Sequence, residues 1–259
     1  MEVVIVADSD AVADVGASIV ASQVAAVPDS TLGLATGSSP IGVYRSLIER
    51  HRHDGLSFLL CEAVMLDEYL GLPPDHPQAY RTVIRQDLID SIDLPLDRLY
   101  SPDVAAHDVA ASCAHYDALV RSLGVDVQLL GIGSDGHVAF NEPGSSLASS
   151  TRIKTLTDRT REDNARFFDD LDDVPRHVIT QGLGTIMEAA RLVLLATGSA
   201  KAAPIAAAVE GPVSALCPAS VLQFHPHVTV IVDEAAAADL QLADYYRETL
   251  AHKPPWQRY

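Results

Sequence analysis

The segment Gly131–Pro143 holds the residues of this chain that are best suited to moving protons. These thirteen residues follow an apolar run and include three glycines, one histidine and two carboxylates. Histidine exchanges protons near neutral pH, and neighbouring carboxylates orient its ring and stabilise its charged form. The segment therefore predicts acid–base chemistry at Asp135, His137 and Glu142. One alternative is a loop histidine capped by Asp135, with glycines that serve only the turn. A metal site is less favoured, because no second histidine or cysteine lies at a suitable spacing.

A second pair of carboxylates ends another apolar stretch. The run from Phe58 to Leu66 stops abruptly at Asp67 and Glu68. For an isolated acidic pair, one helix cap and one solvated side chain is the default interpretation. The expected position at the carboxyl end of a buried strand favours chemistry, because α/β sheets bind ligands at that edge. A carboxylate that lacks full solvation acts as a base towards carbon when its pKa and geometry fit.

The run Thr36–Pro40 has the features of a phosphate-binding turn. It links an apolar run to a helical pattern, and Pro40 suits the first turn of a helix. Glycine permits close backbone approach, hydroxyl groups add donors, and a helix start presents unpaired N–H groups to an anion. A serine-capped helix after a simple turn fits the same residues equally well. The candidate phosphate ligands of this turn are Thr36, Gly37, Ser38 and Ser39.

Two cations elsewhere in the chain suit the same anion. The sequence Ala-Thr-Gly-Ser recurs at 196–199, after another apolar run, and places Lys201 in the first turn of the following helix. A lysine there opposes the helix dipole, a conflict that a bound anion removes. Arg166, beside Phe167 and Phe168, offers fork-shaped donors for phosphate. The alternatives are a solvated lysine and a surface arginine whose stem covers an aromatic ring.

The elements that would position these residues are short buried strands that alternate with longer helices. Runs rich in Val, Ile and Leu predict strands covered on both faces, and the helical patterns between them predict right-handed crossovers. The sequence therefore predicts an α/β fold with a doubly wound, mostly parallel, Rossmann-like sheet and helices on both faces. The predicted strands are Val3–Val6, Thr31–Ala35, Val125–Ile132, Arg191–Thr197 and Val228–Val232. The predicted helices are Asp10–Val27, Ala105–Leu123, Ala200–Val209 and Glu234–Leu250.

Length and composition predict a single domain over residues 1–259. No Pro/Gly/Ser-rich linker, charge block or internal repeat divides the chain. The segment 156–174 is more polar than its surroundings and is a candidate mobile lid. The formal charge of −17 disfavours nucleic acid as a partner, because the surface would repel its phosphates.

Cysteine usage and hydropathy give further exclusions. Cys61, Cys113 and Cys217 are too few and too scattered for a disulfide framework or a zinc site. The N-terminus, with Glu2 and Asp8, lacks the positive charge and long apolar run of a secretory signal. No segment has the run of about 20 apolar residues that is needed to span a bilayer. We therefore expect a cytoplasmic protein without a membrane partner.

These segments together closely resemble the glucosamine-6-phosphate deaminases, over nearly the whole span from Leu32 to Asp233. The resemblance rests on Met65–Pro73, on Asp135–Pro143 and on Ser145–Thr157. The 6-phosphogluconolactonases of the wider superfamily share the Asp-Gly-His loop. They lack the Asp-Glu-Tyr-Leu-Gly-Leu-Pro stretch and the third segment, so the resemblance favours the deaminases.

The resemblance implies an aldose-to-ketose isomerisation coupled to loss of the amine, which converts glucosamine 6-phosphate into fructose 6-phosphate and ammonia. Asp67 would be the base that moves the proton from C2. His137 would shuttle the ring-opening proton, with Asp135 and Glu142 tuning its charge and orientation. The implied phosphate ligands are Thr36 to Ser39, Arg166 and Lys201. The reaction needs no metal or organic cofactor.

Two other classes of protein stay in view. A sugar-phosphate lactonase needs an activated water but no proton transfer at C2. A non-catalytic sensor binds a sugar phosphate without turnover. The four acid–base groups Asp67, Asp135, His137 and Glu142 argue against a sensor, because binding alone does not require so many.

The resemblance also implies regulation at a second site. In hexameric bacterial members, residues that match Ser146, Arg152 and Lys154 line a subunit interface where N-acetylglucosamine 6-phosphate activates. On an extended segment Arg152 and Lys154 face the same side and suit one phosphate, although the residues alone also fit a solvated basic strand. Arg191 departs from the pattern, because the activated enzymes carry an acid there. Some members of the family are monomers and others are hexamers. We expect a homo-oligomer, with the hexamer as the candidate assembly, that is activated by this ligand. The candidate activator-site residues are Ser145, Ser146, Arg152, Lys154 and Tyr245.

Overall fold

A computed structural model describes residues 1–257, which form ten strands and eight α-helices. The strands are β1 (Glu2–Val6), β2 (Thr31–Leu34), β3 (Glu62–Met65), β4 (Asp67–Tyr69), β5 (Leu99–Tyr100), β6 (Val127–Leu130), β7 (Arg152–Thr155), β8 (His177–Thr180), β9 (Arg191–Ala196) and β10 (Val228–Asp233). The helices are α1 (Ser9–Ala26), α2 (Ser38–Asp54), α3 (Tyr80–Asp87), α4 (Val109–Leu123), α5 (Asp158–Ala165), α6 (Leu183–Ile186), α7 (Ala202–Val209) and α8 (Ala243–Ala251).

Seven strands form one parallel sheet in the order β1-β10-β9-β6-β2-β3-β5. The chain moves outward from β2 through β3 to β5 and then returns to the other side of β2 at β6, so the winding direction reverses between β2 and β6. In a doubly wound sheet, ligands bind at the carboxyl ends of the strands beside this reversal. The structure confirms the predicted fold class.

Helices cover both faces of the large sheet, which explains why its strands are apolar on both sides. Along β9, Val193 and Leu195 pack into the core formed with α1 and α2. The alternating residues Leu192 and Leu194 pack into the core formed with α4 and α7. Burial on both faces removes the polar alternation that a half-exposed strand would show.

The five predicted strands are confirmed to within two residues at each end. One predicted helix begins later than expected, because Asp108 caps α4 by accepting the N–H of Ala111 at 3.0 Å.

The predicted helix Glu234–Leu250 is wrong in its first half, since α8 begins only at Ala243. Backbone N–H groups in that half bind carboxylates. Asp233 accepts from Ala236 at 2.7 Å, and Glu210 accepts from the two residues before α8 at 2.8 and 2.9 Å.

The other three strands form a small antiparallel sheet in the order β4-β8-β7, which the sequence did not predict. Because β4 follows β3 after the single residue Leu66, this sheet begins at the carboxyl edge of the large one. Asp67 and Arg152 both pair in register with Thr180 of the central strand β8. Strands of three or four residues with charged side chains are too short to show a periodic pattern.

The candidate lid, residues 156–174, packs against this small sheet. It contains α5 and a 3-10 helix at Leu171–Asp173. The buried Arg161 joins the two, because its guanidinium donates to the carbonyl oxygens of Leu171 and Val174 at 2.6 and 3.1 Å. The Asn164 side chain donates to the Tyr69 hydroxyl at 3.0 Å, which links the segment to β4. Mobility of the segment stays a prediction.

No helix within residues 1–257 is long and apolar enough to cross a membrane. The three cysteines in this part of the chain are unpaired. The same residues contain no group of three or more His, Cys, Asp and Glu side chains that is arranged to hold a metal ion.

Candidate active site

Three neighbouring strands of the large sheet end in the loops that the sequence predicts to be functional. Strands β9, β6 and β2 lie side by side, and their carboxyl ends lead into Gly198–Lys201, Gly131–His137 and Thr36–Ser39. The loops converge, since the Lys201 ammonium group donates to the carbonyl oxygen of Ile132 at 2.7 Å. The fold therefore brings both predicted phosphate turns and the proton-transfer loop to one edge of the sheet.

The first turn leaves the start of α2 open to an anion. Gly37 precedes the helix with φ 90° and ψ −176°, a conformation that favours glycine. No side chain caps the helix, so the serine cap considered from the sequence does not form. The Tyr44 hydroxyl binds the N–H and the carbonyl oxygen of Ala35, at 3.1 and 2.6 Å, and fixes the end of the strand before the turn. The start of α2 therefore keeps the features of the predicted phosphate turn, and phosphate binding there stays a prediction.

The second turn repeats the backbone shape of the first but not its partners. Gly198 has φ 86° and ψ 155°, and a 3-10 helix, Ser199–Lys201, follows it. The Gly198 N–H donates to both carboxylate oxygens of Asp233, at 3.0 and 2.9 Å. Because this amide is already occupied, the main group that the second turn adds for an anion is Lys201.

Lys201 and Arg166 act on each other electrostatically. Burial lowers the pKa of Lys201, the charge of Asp163 opposes that shift, and the charge of Arg166 adds to it. The exposed Arg166 stacks over Phe167, with its guanidinium carbon 4.7 Å from the ring centroid. This stacking fits the surface interpretation of Arg166, while its nearness to Lys201 is what a shared phosphate requires. A bound phosphate would relieve the repulsion between the two cations.

Asp135 and His137 form a close pair in the loop after β6. The Nδ1 atom of His137 lies 2.6 Å from Oδ1 of Asp135, and the His137 backbone N–H donates to the same oxygen at 3.1 Å. Burial alone would raise the pKa of Asp135, but the hydrogen bonds and charge of His137 lower it to about 2. Asp135 therefore stays ionised at neutral pH and holds the imidazole ring in one orientation.

Gly133 makes room for that ring. A Cβ atom at position 133 would lie only 2.2 Å from Cε1 of His137. The imidazole therefore lies directly over the backbone of Gly133, and any side chain there would displace it. The interpretation of this glycine as a simple turn residue is wrong.

Glu142 binds the beginning of the candidate lid. Its Oε1 atom accepts the Thr157 hydroxyl at 3.0 Å, the Thr157 N–H at 3.4 Å and the hydroxyl of Thr160. Thr157 is the N-cap of α5, so these bonds tie the loop after β6 to the lid helix. Within residues 1–257 no hydrogen bond joins Glu142 to His137, and the expected tuning of His137 by Glu142 stays a prediction.

Asp67 is a buried carboxylate without a hydrogen-bond donor. The residue is 6% exposed, and no donor within residues 1–257 binds its side-chain oxygens. Burial, and then the charge of Glu68, raises its pKa to about 8. A base whose pKa lies near the working pH suits the removal of a proton from carbon.

The neighbouring Glu68 has a structural part. Its carboxylate accepts the backbone N–H groups of Tyr69, Tyr80 and Arg81, each at 2.8 Å. Since Tyr80 and Arg81 begin α3, Glu68 caps that helix. The default interpretation of the acidic pair is therefore half correct: one carboxylate is a cap, but Asp67 is buried rather than solvated.

A buried polar layer beneath Asp67 was missed from the sequence. Tyr116 of α4 and Gln181, which follows β8, donate to the carbonyl oxygen of Met65 at 2.7 and 2.9 Å. The available signal was Tyr116, because a tyrosine on the apolar face of a helix needs a partner for its hydroxyl. Gln181 follows a strand that was itself not predicted.

The residues expected at the second site lie on separate elements. Arg152 and Lys154 share one face of β7, and no carboxylate within residues 1–257 pairs with the half-buried Arg152. The hydroxyl of Ser145 is buried without a hydrogen-bond partner in the same residues, and the Ser146 hydroxyl accepts a backbone N–H from its own turn. Tyr245 is exposed on α8.

The fold and the site define a class of protein: doubly wound α/β proteins with acid–base side chains beside an uncapped helix start, at the reversal point of the sheet. Within that class, the chain belongs to the family of glucosamine-6-phosphate isomerases and 6-phosphogluconolactonases, whose sequence model matches residues 7–231.

Relatives within this family extend over the whole chain. A protein of Rhodococcus jostii (strain RHA1), named glucosamine-6-phosphate deaminase, is 58% identical over 260 residues, which cover 100% of both chains. A solved structure of a monomeric glucosamine-6-phosphate deaminase is 41% identical, with a TM-score of 0.90 over 92% of this chain and 100% of that one. A 6-phosphogluconolactonase from Trypanosoma cruzi is 22% identical, with a TM-score of 0.74 over 93% of this chain and 97% of that one, and shows the shared fold alone.

Proposed function

We propose that this chain converts glucosamine 6-phosphate into fructose 6-phosphate and ammonia. The observation that carries the proposal is Asp67, a buried carboxylate with a raised pKa and no donor, at the edge of the sheet where the phosphate turns converge. An aldose–ketose isomerisation requires such a base to move a proton between neighbouring carbons. The 58% identity to a protein named glucosamine-6-phosphate deaminase supports the same activity.

Each group at the edge of the sheet has a defined step in this reaction. The first turn, Lys201 and Arg166 hold the phosphate, far from the reacting atoms, so binding energy is used to orient C1 and C2. His137, oriented by Asp135, moves the proton that opens the sugar ring. Asp67 removes the proton from C2 and delivers a proton to C1, after exchange with solvent. A second proton passes from the amine nitrogen to O1, which leaves a hydroxymethyl group at C1 and an imine at C2. Water hydrolyses this imine to the ketone, and ammonia departs.

Ammonia release and the fate of the C2 hydrogen test this proposal together. The chain, incubated in heavy water with glucosamine 6-phosphate, is expected to release ammonia and to give fructose 6-phosphate with solvent-derived deuterium at C1. A lactonase would hydrolyse 6-phosphogluconolactone without exchanging hydrogen at C2. Lactone hydrolysis without ammonia release would contradict the deaminase proposal.

We also propose that the chain is a single-domain cytoplasmic enzyme that assembles into a homo-oligomer and is activated by N-acetylglucosamine 6-phosphate. The half-buried cation of Arg152, which pairs with no carboxylate in residues 1–257, supports an anionic ligand beside β7. An activator acts only if it binds two conformational states of the enzyme with different affinities. The oligomeric mass of the enzyme must therefore be measured together with its kinetics. Arg152→Ala should abolish activation. If a confirmed monomer shows hyperbolic kinetics that the activator does not change, this regulation is contradicted. The catalytic assignment would stay intact.

A further inference from the structure

The end of β8 is hydrogen-bonded to the backbone that carries Asp67. Gln181 donates its N–H to the carbonyl oxygen of Leu66 at 2.7 Å and its side-chain amide to that of Met65 at 2.9 Å. Thr180 lies in register with Asp67 in the antiparallel pair of β8 and β4. Thr180 and Gln181 therefore set the direction of the chain between β3 and β4, and with it the position of the Asp67 carboxylate.

The same two residues hold the loop that carries the Asp–His pair. The Thr180 hydroxyl accepts the N–H of Phe140 at 3.1 Å, and the carbonyl oxygen of Gln181 accepts the side-chain amide of Asn141 at 2.8 Å. Asn141 also donates to the carbonyl oxygen of Val138 at 3.0 Å, which closes a tight turn. Thr180 and Asn141 are 0% exposed and Gln181 is 1% exposed, so water does not compete for these bonds.

Thr180 and Gln181 form a bridge between the backbone of Asp67 and the loop that carries the Asp135–His137 pair. The residues around this bridge leave it little room to adjust. Ala139, inside the tight turn, has φ 51° and is the one non-glycine residue of 1–257 with a positive φ. Such a conformation persists only where its surroundings fix it. On the other side of the bridge, a Cβ atom at Gly182 would lie 2.0 Å from the carbonyl oxygen of Ser149. The chain is therefore tightly constrained on both sides of Thr180 and Gln181.

We infer that Thr180 and Gln181 are positioning residues, which fix the Asp67 base relative to the Asp135–His137 pair without contacting substrate. This inference rests on the proposed function, because it assigns the bridge a part in that reaction. The ring-opening proton and the C2 proton must be moved on one bound sugar. The Asp67 carboxylate and the His137 imidazole therefore need a fixed separation. A displacement of about 1 Å is enough to cost about 10²-fold in rate.

Two substitutions at position 180 separate positioning from packing. Thr180→Val keeps the shape and removes the hydroxyl, whereas Thr180→Ser keeps the hydroxyl and removes a buried methyl group. Thr180→Val is expected to lower kcat for glucosamine 6-phosphate about 10- to 100-fold and to change KM less than about twofold. Thr180→Ser should keep kcat close to that of the wild type. Equal losses in both variants, or a larger loss in Thr180→Ser, would overturn the inference.

Thr185→Val is a matched control, because it removes another buried hydroxyl, one that donates to Asp117 at 2.5 Å outside the bridge. It is expected to lower the melting temperature and to leave kcat unchanged. Solvent exchange at C2 should slow in Thr180→Val and not in the control. If the wild type is active and Thr180→Val has the same kcat, the inference is overturned. The same holds if Thr185→Val loses as much kcat as Thr180→Val. In both cases the proposed function stands. A wild type that releases no ammonia overturns the proposed function itself.

Discussion

Two carboxylates at the same edge of the sheet have opposite electrostatic environments. Asp67, after β3, is buried beside Glu68 without a donor, and its pKa is raised to about 8. Asp135, in the loop after β6, is also partly desolvated, yet its bonds to His137 lower its pKa to about 2. The same side chain thus has two different proton affinities, because burial dominates at Asp67 and the bonds to His137 dominate at Asp135. One carboxylate is suited to exchange a proton with substrate and the other to stay charged.

The contrast also explains why the two are held differently. A base for carbon must keep its lone pairs free for the substrate, and protein donors at Asp67 would lower its basicity. An orienting carboxylate must instead be committed to its histidine, as Asp135 is at 2.6 Å.

Asp67→Asn is expected to have the largest effect, since it keeps the shape of the side chain and removes the base. The kcat for ammonia release should fall about 10³- to 10⁴-fold, in the upper range for loss of general base catalysis. Binding of a phosphate-bearing inhibitor, measured by calorimetry, should be largely unchanged. Wild-type solvent exchange at C2 in this variant would eliminate Asp67 as the base.

Asp135→Asn is expected to have a smaller effect, because it releases His137 without removing the C2 base. The kcat should fall about 10²-fold. The residual activity should still rise with pH to a midpoint near 8, as ionisation of Asp67 requires. Rate profiles from about pH 6 to pH 10 check this, and a midpoint that moves in Asp135→Asn would show that the two carboxylates are not independent.

Lys201→Ala changes neither of the two carboxylates. It should weaken substrate binding and leave proton transfer unchanged. Loss of one charged donor typically costs about 1.5–3 kcal/mol, which corresponds to an increase in KM of about 10- to 150-fold. The pH midpoint near 8 should stay, and Arg166→Ala should behave in the same way. If glucosamine and glucosamine 6-phosphate lose affinity equally in either variant, that residue is not a phosphate ligand.

The two carboxylates should also change stability in opposite pH ranges. The folded pKa of Asp67 lies above its unfolded value of about 4, so its contribution is complete below pH 4 and is lost as pH rises through about 8. The contribution of Asp135 is present above about pH 4 and is lost as pH falls through about 2. The free energy of unfolding of Asp67→Asn should therefore rise relative to that of the wild type by about 1.4 kcal/mol per pH unit between about pH 5 and pH 8, on the order of 4 kcal/mol in all. Denaturant titrations with parallel pH dependence would contradict the raised pKa.

The sequence predicts those parts of the site whose residues lie close together in the chain. Gly37 and His137 lie in loops whose residue types, order and position after an apolar run are enough to indicate an anion turn and an acid–base loop. The large sheet is predictable for the same reason, since each strand is a continuous apolar run.

What could not be predicted depends on partners distant in the chain. Thr180 and Gln181 form hydrogen bonds with residues about 40 and 115 positions away, which no local pattern encodes. The run of alanines after Glu234 has high helix propensity, but carboxylates of Asp233 and Glu210 bind the N–H groups of this stretch instead. The orientation of Glu142 towards the threonines of the lid was likewise set by tertiary contacts.

The order of strands in the large sheet has a consequence for how the chain is made. The first strand, β1, lies at the edge of the sheet and pairs with the last strand, β10, so Glu2 is in register with Thr229. During synthesis from the N-terminus, β1 emerges long before its neighbour β10 exists. The sheet can grow from β2, β3 and β6 while the ribosome is still extending the chain. Its first-made strand is then the last to be joined, when nearly all of the protein has been synthesised.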